Sequence, residues 1–175
     1  MTEVFFYLVK SDQSFEHIRR LLVRSREAGW RTIVRAGSDS AIDSLDRQLW
    51  THPPESFLPH AVAGGEFDED QSILLTTDEN IESIAESLIL FDGARVKDDA
   101  AAQYQRVSIV CAIDHESEVE NSRAQWSRLS KAGTRLQYWA FENGKWNCQA
   151  QKNYPSTDDV TAASRPSPEN SSVGG

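Results

Sequence analysis

The sequence predicts an α/β sandwich built on a largely parallel sheet. Short apolar runs rich in branched and aromatic residues alternate with stretches of helical period. Two of those stretches stop at a glycine, Gly29 and Gly133. Strand signals separated by amphipathic helices pair through crossovers, which makes the sheet mostly parallel.

The elements follow in order. Val4 to Val9 is a short apolar strand, and Ser14 can cap a helix to Ala28 with Phe15, Ile18 and Leu22 on one face. Trp30 to Ala36 is the second strand. Ser38 or Asp39 then caps a helix on which Ile42, Leu45 and Leu49 recur at helical spacing, with Trp50 towards the edge of that stripe. Ser72 to Thr76 is a strand, Asn80 to Glu86 a short helix, and Leu88 to Phe91 another strand. Residues near 98–104 form a weak helical turn. Arg106 to Ile113 is the strongest strand signal, Glu116 to Ala132 a helix, and Leu136 to Phe141 the last strand before an Asn143-Gly144 turn. Residues 1–150 thus read as one domain. From about Asn153 the composition turns to Pro, Ser, Thr, Asp and Gly, which cannot offset its ordering entropy, so 151–175 is expected as a disordered tail.

Composition narrows the class. A chain of 175 residues with 39% hydrophobic content supports one core. No stretch approaches the ~20 apolar residues of a membrane span, and the start lacks the basic lead and cleavage site of a signal peptide. Cys111 sits in an apolar run and Cys148 in a polar one, which is no disulfide framework, and a cytoplasmic protein is expected. The net charge of −9 argues against coating nucleic acid. Arg19, Arg20, Arg24 and Arg26, and then Arg123, Arg128 and Lys131, mark two basic helix faces. They are either solvated faces or local captors of an acidic peptide.

Catalytic signatures are missing. The turn after the first strand, Lys10 to Ser14, has no glycine, and neither a GxGxxG fingerprint nor a GxxxxGK[ST] loop occurs. His17, His52, His60 and His115 lie in separate segments, and neither cysteine is in a CxxC pair, so no metal and no cofactor is expected. Asp68-Glu69-Asp70 reads as a solvated loop. One alternative is a phosphate-chemistry enzyme with His60 and Asp92 or Asp98 as acid and base. Another is direct binding of single-stranded DNA by exposed aromatics and arginines, which the charge disfavours.

Binding features are present. Between Trp50 and His60, Pro53 and Pro54 force extended geometry, so Phe57, Leu58 and Pro59 form either a buried crossover or an exposed docking strip. Arg123 and Trp126 lie three apart on one helix and share a face. That pair is either a carboxylate contact beside an apolar slot, or an exposed arginine next to a tryptophan packed inward with Val119 and Leu129.

Several blocks together resemble the chi subunit family of bacterial DNA polymerase III. They are Phe5-Phe6-Tyr7-Leu8, Leu45-Asp46 through Leu49-Trp50, and Pro54-Glu55-Ser56-Phe57-Leu58-Pro59-His60. Farther on come Leu88-Ile89-Leu90-Phe91-Asp92 and the pattern of Arg123, Trp126, Gly133 and Leu136-Gln137-Tyr138-Trp139. The resemblance implies a Rossmann-like fold without a nucleotide site, and a non-catalytic accessory subunit of the polymerase holoenzyme. It implies a link between the clamp-loader complex and single-stranded DNA-binding protein, whose acidic C-terminal tail would be held by Trp50, Arg123 and Trp126. It further implies that Phe57, Leu58 and Pro59 face a second partner: the psi subunit, the clamp loader itself or a helicase. Nucleic acid would be met mainly indirectly. Ser127 departs from the pattern where relatives can carry a lysine, and Arg128 and Lys131 are the nearest other cations.

Overall fold

The computed structural model describes residues 1–51, 58–81 and 84–155. Its strands are β1 (Glu3–Val9), β2 (Thr32–Ala36), β3 (Ala61–Val62), β4 (Ile73–Thr76), β5 (Ser87–Phe91), β6 (Arg106–Ala112), β7 (Arg135–Glu142) and β8 (Lys145–Lys152). Its helices are α1 (Ser14–Glu27), α2 (Asp39–Thr51), α3 (Asp98–Ala101) and α4 (Glu116–Lys131). Among the described residues the strands form one sheet in the order β3-β4-β2-β5-β6-β1-β7-β8. Every neighbouring pair is parallel except β7 with β8.

Side chains alternate across this sheet with the period of two that a pleated strand imposes. Val4 and Phe6 of β1, Leu88 and Leu90 of β5, and Val107 and Ile109 of β6 enter one core, which Ala101 of α3 and Leu129 of α4 close. Val9, Val34, Ile89 and Val110 enter the other, beneath Ile18, Leu21 and Leu22 of α1 and Ile42, Leu45 and Leu49 of α2. Helices therefore cover both faces, in three layers.

Two segments depart from the sequence-based expectation. The described residues of 80–86, which exclude 82 and 83, form no helix. There the Asn80 amide donates to the Asp78 carboxylate at 2.8 Å, a local turn that competes with helical bonding. The chain also does not end its sheet at β7. Asn143 (φ 52°) and Gly144 (φ 75°) are both left-handed, the geometry of a two-residue hairpin, and β8 returns as an antiparallel edge strand. Its sequence, Lys-Trp-Asn-Cys-Gln-Ala-Gln-Lys, is nearly all polar and exposed, as suits an edge that must not recruit another strand. That polarity hides it from a search for apolar runs. The chain continues past residue 150: Asn153 Nδ2 donates to the carbonyls of Ser130 (3.0 Å) and Thr134 (2.8 Å). Of the tail expected over 151–175, residues 151 and 152 belong to β8, and 156–175 lie outside the described residues.

One close approach locks the C-terminal ends of β2 and β5 together. A Cβ at Gly37 would stand 2.1 Å from the Asp92 carbonyl oxygen, so a side chain there must push two backbones apart. Gly37→Ala is expected to lower stability by about 1–3 kcal/mol, the cost of overpacking. Urea unfolding with an unchanged midpoint would show that these two loops separate freely.

Candidate functional site

The rotation of α4 is set by three polar residues on one stripe. Gln125 is buried: its Oε1 accepts from the Val96 amide at 3.2 Å and its Nε2 donates to the Ala94 carbonyl at 3.2 Å. Asn121 Nδ2 donates to the Gly93 carbonyl at 3.1 Å. Arg128 donates to Asp98 at 2.7 Å and to the Val96 carbonyl, so its charge is spent on the start of α3 and the loop before it. With about 100° per residue, Arg128 stands about 160° round the helix from Trp126 and does not stand in for a cation at Ser127.

That rotation puts Trp126 at the border of the buried stripe and Arg123 outside it. The indole is half-buried, edge-on to Phe6 and to Tyr138, each 5.3 Å away between ring centroids. Such pairs contribute about 0.5–1.5 kcal/mol beyond area burial, so Trp126 has a structural share whatever else it does. Arg123 is exposed and makes no ion pair among the described residues. Burial raises the Tyr138 hydroxyl above its ordinary pKa, and Arg123 is one of the groups opposing that rise. The guanidinium thus lies within electrostatic reach of the aromatic pair.

Trp50 does not join them. It leaves the end of α2, on the opposite face of the sheet from α4, and is 57% exposed. Its neighbour is His60, with ring centroids 5.0 Å apart. His60 is buried; Nδ1 meets the Leu58 carbonyl at 2.7 Å and Nε2 meets Asp46 at 2.9 Å. The pairing with Asp92 or Asp98 is therefore not formed. Asp92 instead accepts from Ser38 at 2.6 Å, and Asp98 holds Arg128.

The strip between buried crossover and docking surface divides residue by residue. Leu58 is 2% exposed and packs in the core under α1 and α2, whereas Pro59 is exposed. Phe57 lies outside the described residues. Leu58 hence supports the strip from below and offers no side-chain surface to a partner.

The structure also assembles a cavity of about 390 Å³ that the sequence reading did not connect. It lies on the α1 side of β1, between α1 and the β7–β8 hairpin, with Tyr7, His17, Arg24, Arg106 and Trp146 among its lining. Its signal was present as His17, Arg20 and Arg24 at i, i+3 and i+7, which place three side chains on one face of α1. Trp146 comes from the strand that polarity concealed. No group of three His, Cys, Asp or Glu among the described residues is placed to hold a metal ion. No described helix is long and apolar enough to cross a membrane.

The described residues thus form a three-layer α/β domain with Arg123, which makes no ion pair among them, near one indole and a second indole, Trp50, exposed on the far face. The family model described as DNA polymerase III chi subunit, HolC, matches residues 1–137, and the chain belongs to that family. Membership gives it an accessory role in replication, in association with the DNA polymerase III complex. No curated protein matches it. The match stops within β7, short of Trp139 and of all of β8.

Leu58→Ala should destabilise the fold by about 2–5 kcal/mol, the range for emptying a buried leucine site, while Pro59→Ala changes stability little. Equal unfolding midpoints for the two variants would contradict the burial of Leu58. His17 gives a pH signature. Burial, followed by the charges of Arg20 and Arg24, pushes its pKa down to about 4 from 6.5. As pH falls below about 6.5 the unfolded chain takes up a proton that the native state refuses, so stability is complete above that pH and declines towards 4. Between pH 7.5 and 4.5 the loss from this group should be on the order of 2 kcal/mol. His17→Gln should flatten that slope; a parallel slope in the variant would show that other groups cause it.

Proposed function

We propose that the chain is a non-catalytic adaptor of the replicative polymerase, joining the clamp-loader complex to single-stranded DNA-binding protein. The acidic C-terminal tail of that protein docks on the outer edge of α4, where Arg123 receives a carboxylate and the exposed border of Trp126 takes an apolar side chain. An unengaged guanidinium beside a half-buried indole, on a protein of net charge −9, is the observation that carries this reading. Charge-assisted bonds to a carboxylate are among the stronger ones available at a surface.

A second partner occupies the other side of the domain. Trp50 is displayed there against His60, itself held by Asp46, and in this reading it serves the second partner rather than the tail. A psi-like subunit, or the clamp loader itself, fits the position that the family resemblance implies, with a helicase as a competitor for the same strip. Two contacts on opposite faces allow both proteins to be held at once.

Arg123→Ala should weaken binding of a synthetic acidic tail by about 1.5–3 kcal/mol, the range for hydrogen bonds to charged groups, with the unfolding midpoint unchanged. Added salt should weaken the wild-type interaction more than the variant's. Titration calorimetry giving equal affinities for both proteins would end the tail-site assignment.

A further inference from the structure

The cavity beside α1 is a built site. His17 is about nine-tenths buried, with its ring 4.4 Å from Tyr7 and 4.6 Å from Trp146, and its Nε2 has no hydrogen-bond partner among the described residues. The Arg106 guanidinium lies 4.7 Å over Phe5 and 5.6 Å from Trp30, while its buried Nε is likewise unpartnered. Arg24 makes no ion pair among the described residues, whereas Arg20 shares Glu16 with Arg19. Burial raises the Tyr7 hydroxyl, and Arg106 and Arg24 are the two charges that oppose it, so both act on the same space.

The strand order sets which end is which. α1 runs back along β1, so Arg24 lies towards the Phe5 and Arg106 end, and His17 towards Tyr7 and Trp146. Tyr7 is in register with Trp139 on β7, which continues the aromatic wall. The Phe5 end thus carries Arg24 and Arg106, while the Tyr7 end is mostly aromatic, with Arg20 also in the lining.

We propose that this cavity binds a nucleotide unit, with the phosphate on Arg24 and Arg106 and the base against Trp139 and Trp146. A phosphate dianion offers two guanidinium groups three oxygens and up to two charges, whereas a carboxylate offers two oxygens and one charge. Ring faces stack on any base, which makes such a wall tolerant of sequence. The volume falls within the range of small-ligand sites. The chain's net charge of −9 repels a long polyanion but not a single unit seated in a basic recess, so the site takes one nucleotide, free or at the end of a strand.

The test is calorimetry on the full chain with deoxyadenosine monophosphate, deoxyadenosine, inorganic phosphate and a 5′-phosphorylated oligothymidylate. Deoxyadenosine monophosphate should bind at least about tenfold more tightly than either fragment, because both ends of the cavity contribute. Arg24→Gln, at an exposed position where folding is not at stake, should weaken it by about tenfold, and Trp146→Leu should weaken it comparably. Arg123→Ala, on the far face, should leave it unchanged, which separates this site from the tail site. Binding of the oligonucleotide alone would assign the site to strand ends, and binding of both would assign it to nucleotides in general. No binding of either, an Arg24→Gln affinity equal to wild type, or displacement of the nucleotide by an acidic peptide ending in phenylalanine would overturn the proposal.

Discussion

The pleat of β1 is the constraint on which both candidate sites depend. Its successive side chains must point to opposite faces. Phe6 thereby meets Trp126 and Tyr138 beneath α4, while Tyr7 meets His17 and Trp146 beside α1. β1 is paired on both sides, with β6 and β7, so it cannot slip by a residue without moving both neighbours. Two aromatic clusters with different electrostatics are thus held back to back by adjacent residues of a single strand.

Most of the fold was legible because period and punctuation agreed along the chain. Ile42, Leu45 and Leu49 marked α2, and the run around Val107 to Ala112 marked a strand that is buried throughout. Legibility failed where burial is not what makes the element. β8 is held by a left-handed Asn-Gly turn and by pairing with β7, not by an apolar stripe, and Trp146 alone among its side chains reaches partial burial next to an apolar core. The segment after Asp78 had helical composition, but a side-chain carboxylate captured the backbone amide first. Of the candidate site, sharing of one helix face by Arg123 and Trp126 follows from spacing alone. Separation of Trp50 from them does not, because it depends on which face of the sheet each helix covers.

Charge is distributed by the same logic. The acidic total conceals arginines with quite different duties: Arg128 is consumed in holding the start of α3, and Arg19 and Arg20 share Glu16. Arg123, Arg24 and Arg106 are left without acidic partners among the described residues. Counting basic residues on a helix cannot distinguish these cases, because an arginine's usefulness to a ligand depends on whether the fold already uses it. These three lie within electrostatic reach of aromatic hydroxyls, Arg123 of Tyr138 and Arg24 and Arg106 of Tyr7.

Placement on opposite faces has a mechanical consequence for an adaptor. Behind Trp50, the ring nitrogens of His60 are anchored to Leu58 and Asp46, so a partner on the proposed second face meets a stiff surface. A peptide on α4 rests on a helix whose rotation is pinned by Asn121, Gln125 and Arg128. Between the two surfaces lie the buried clusters on either side of the sheet, and native interiors of this kind are close-packed. Coupling between two sites requires an element with two arrangements that both ligands bias differently. In the adaptor proposed above, the two faces act as independent contacts, and the link draws its strength from holding both partners together rather than from one promoting the other.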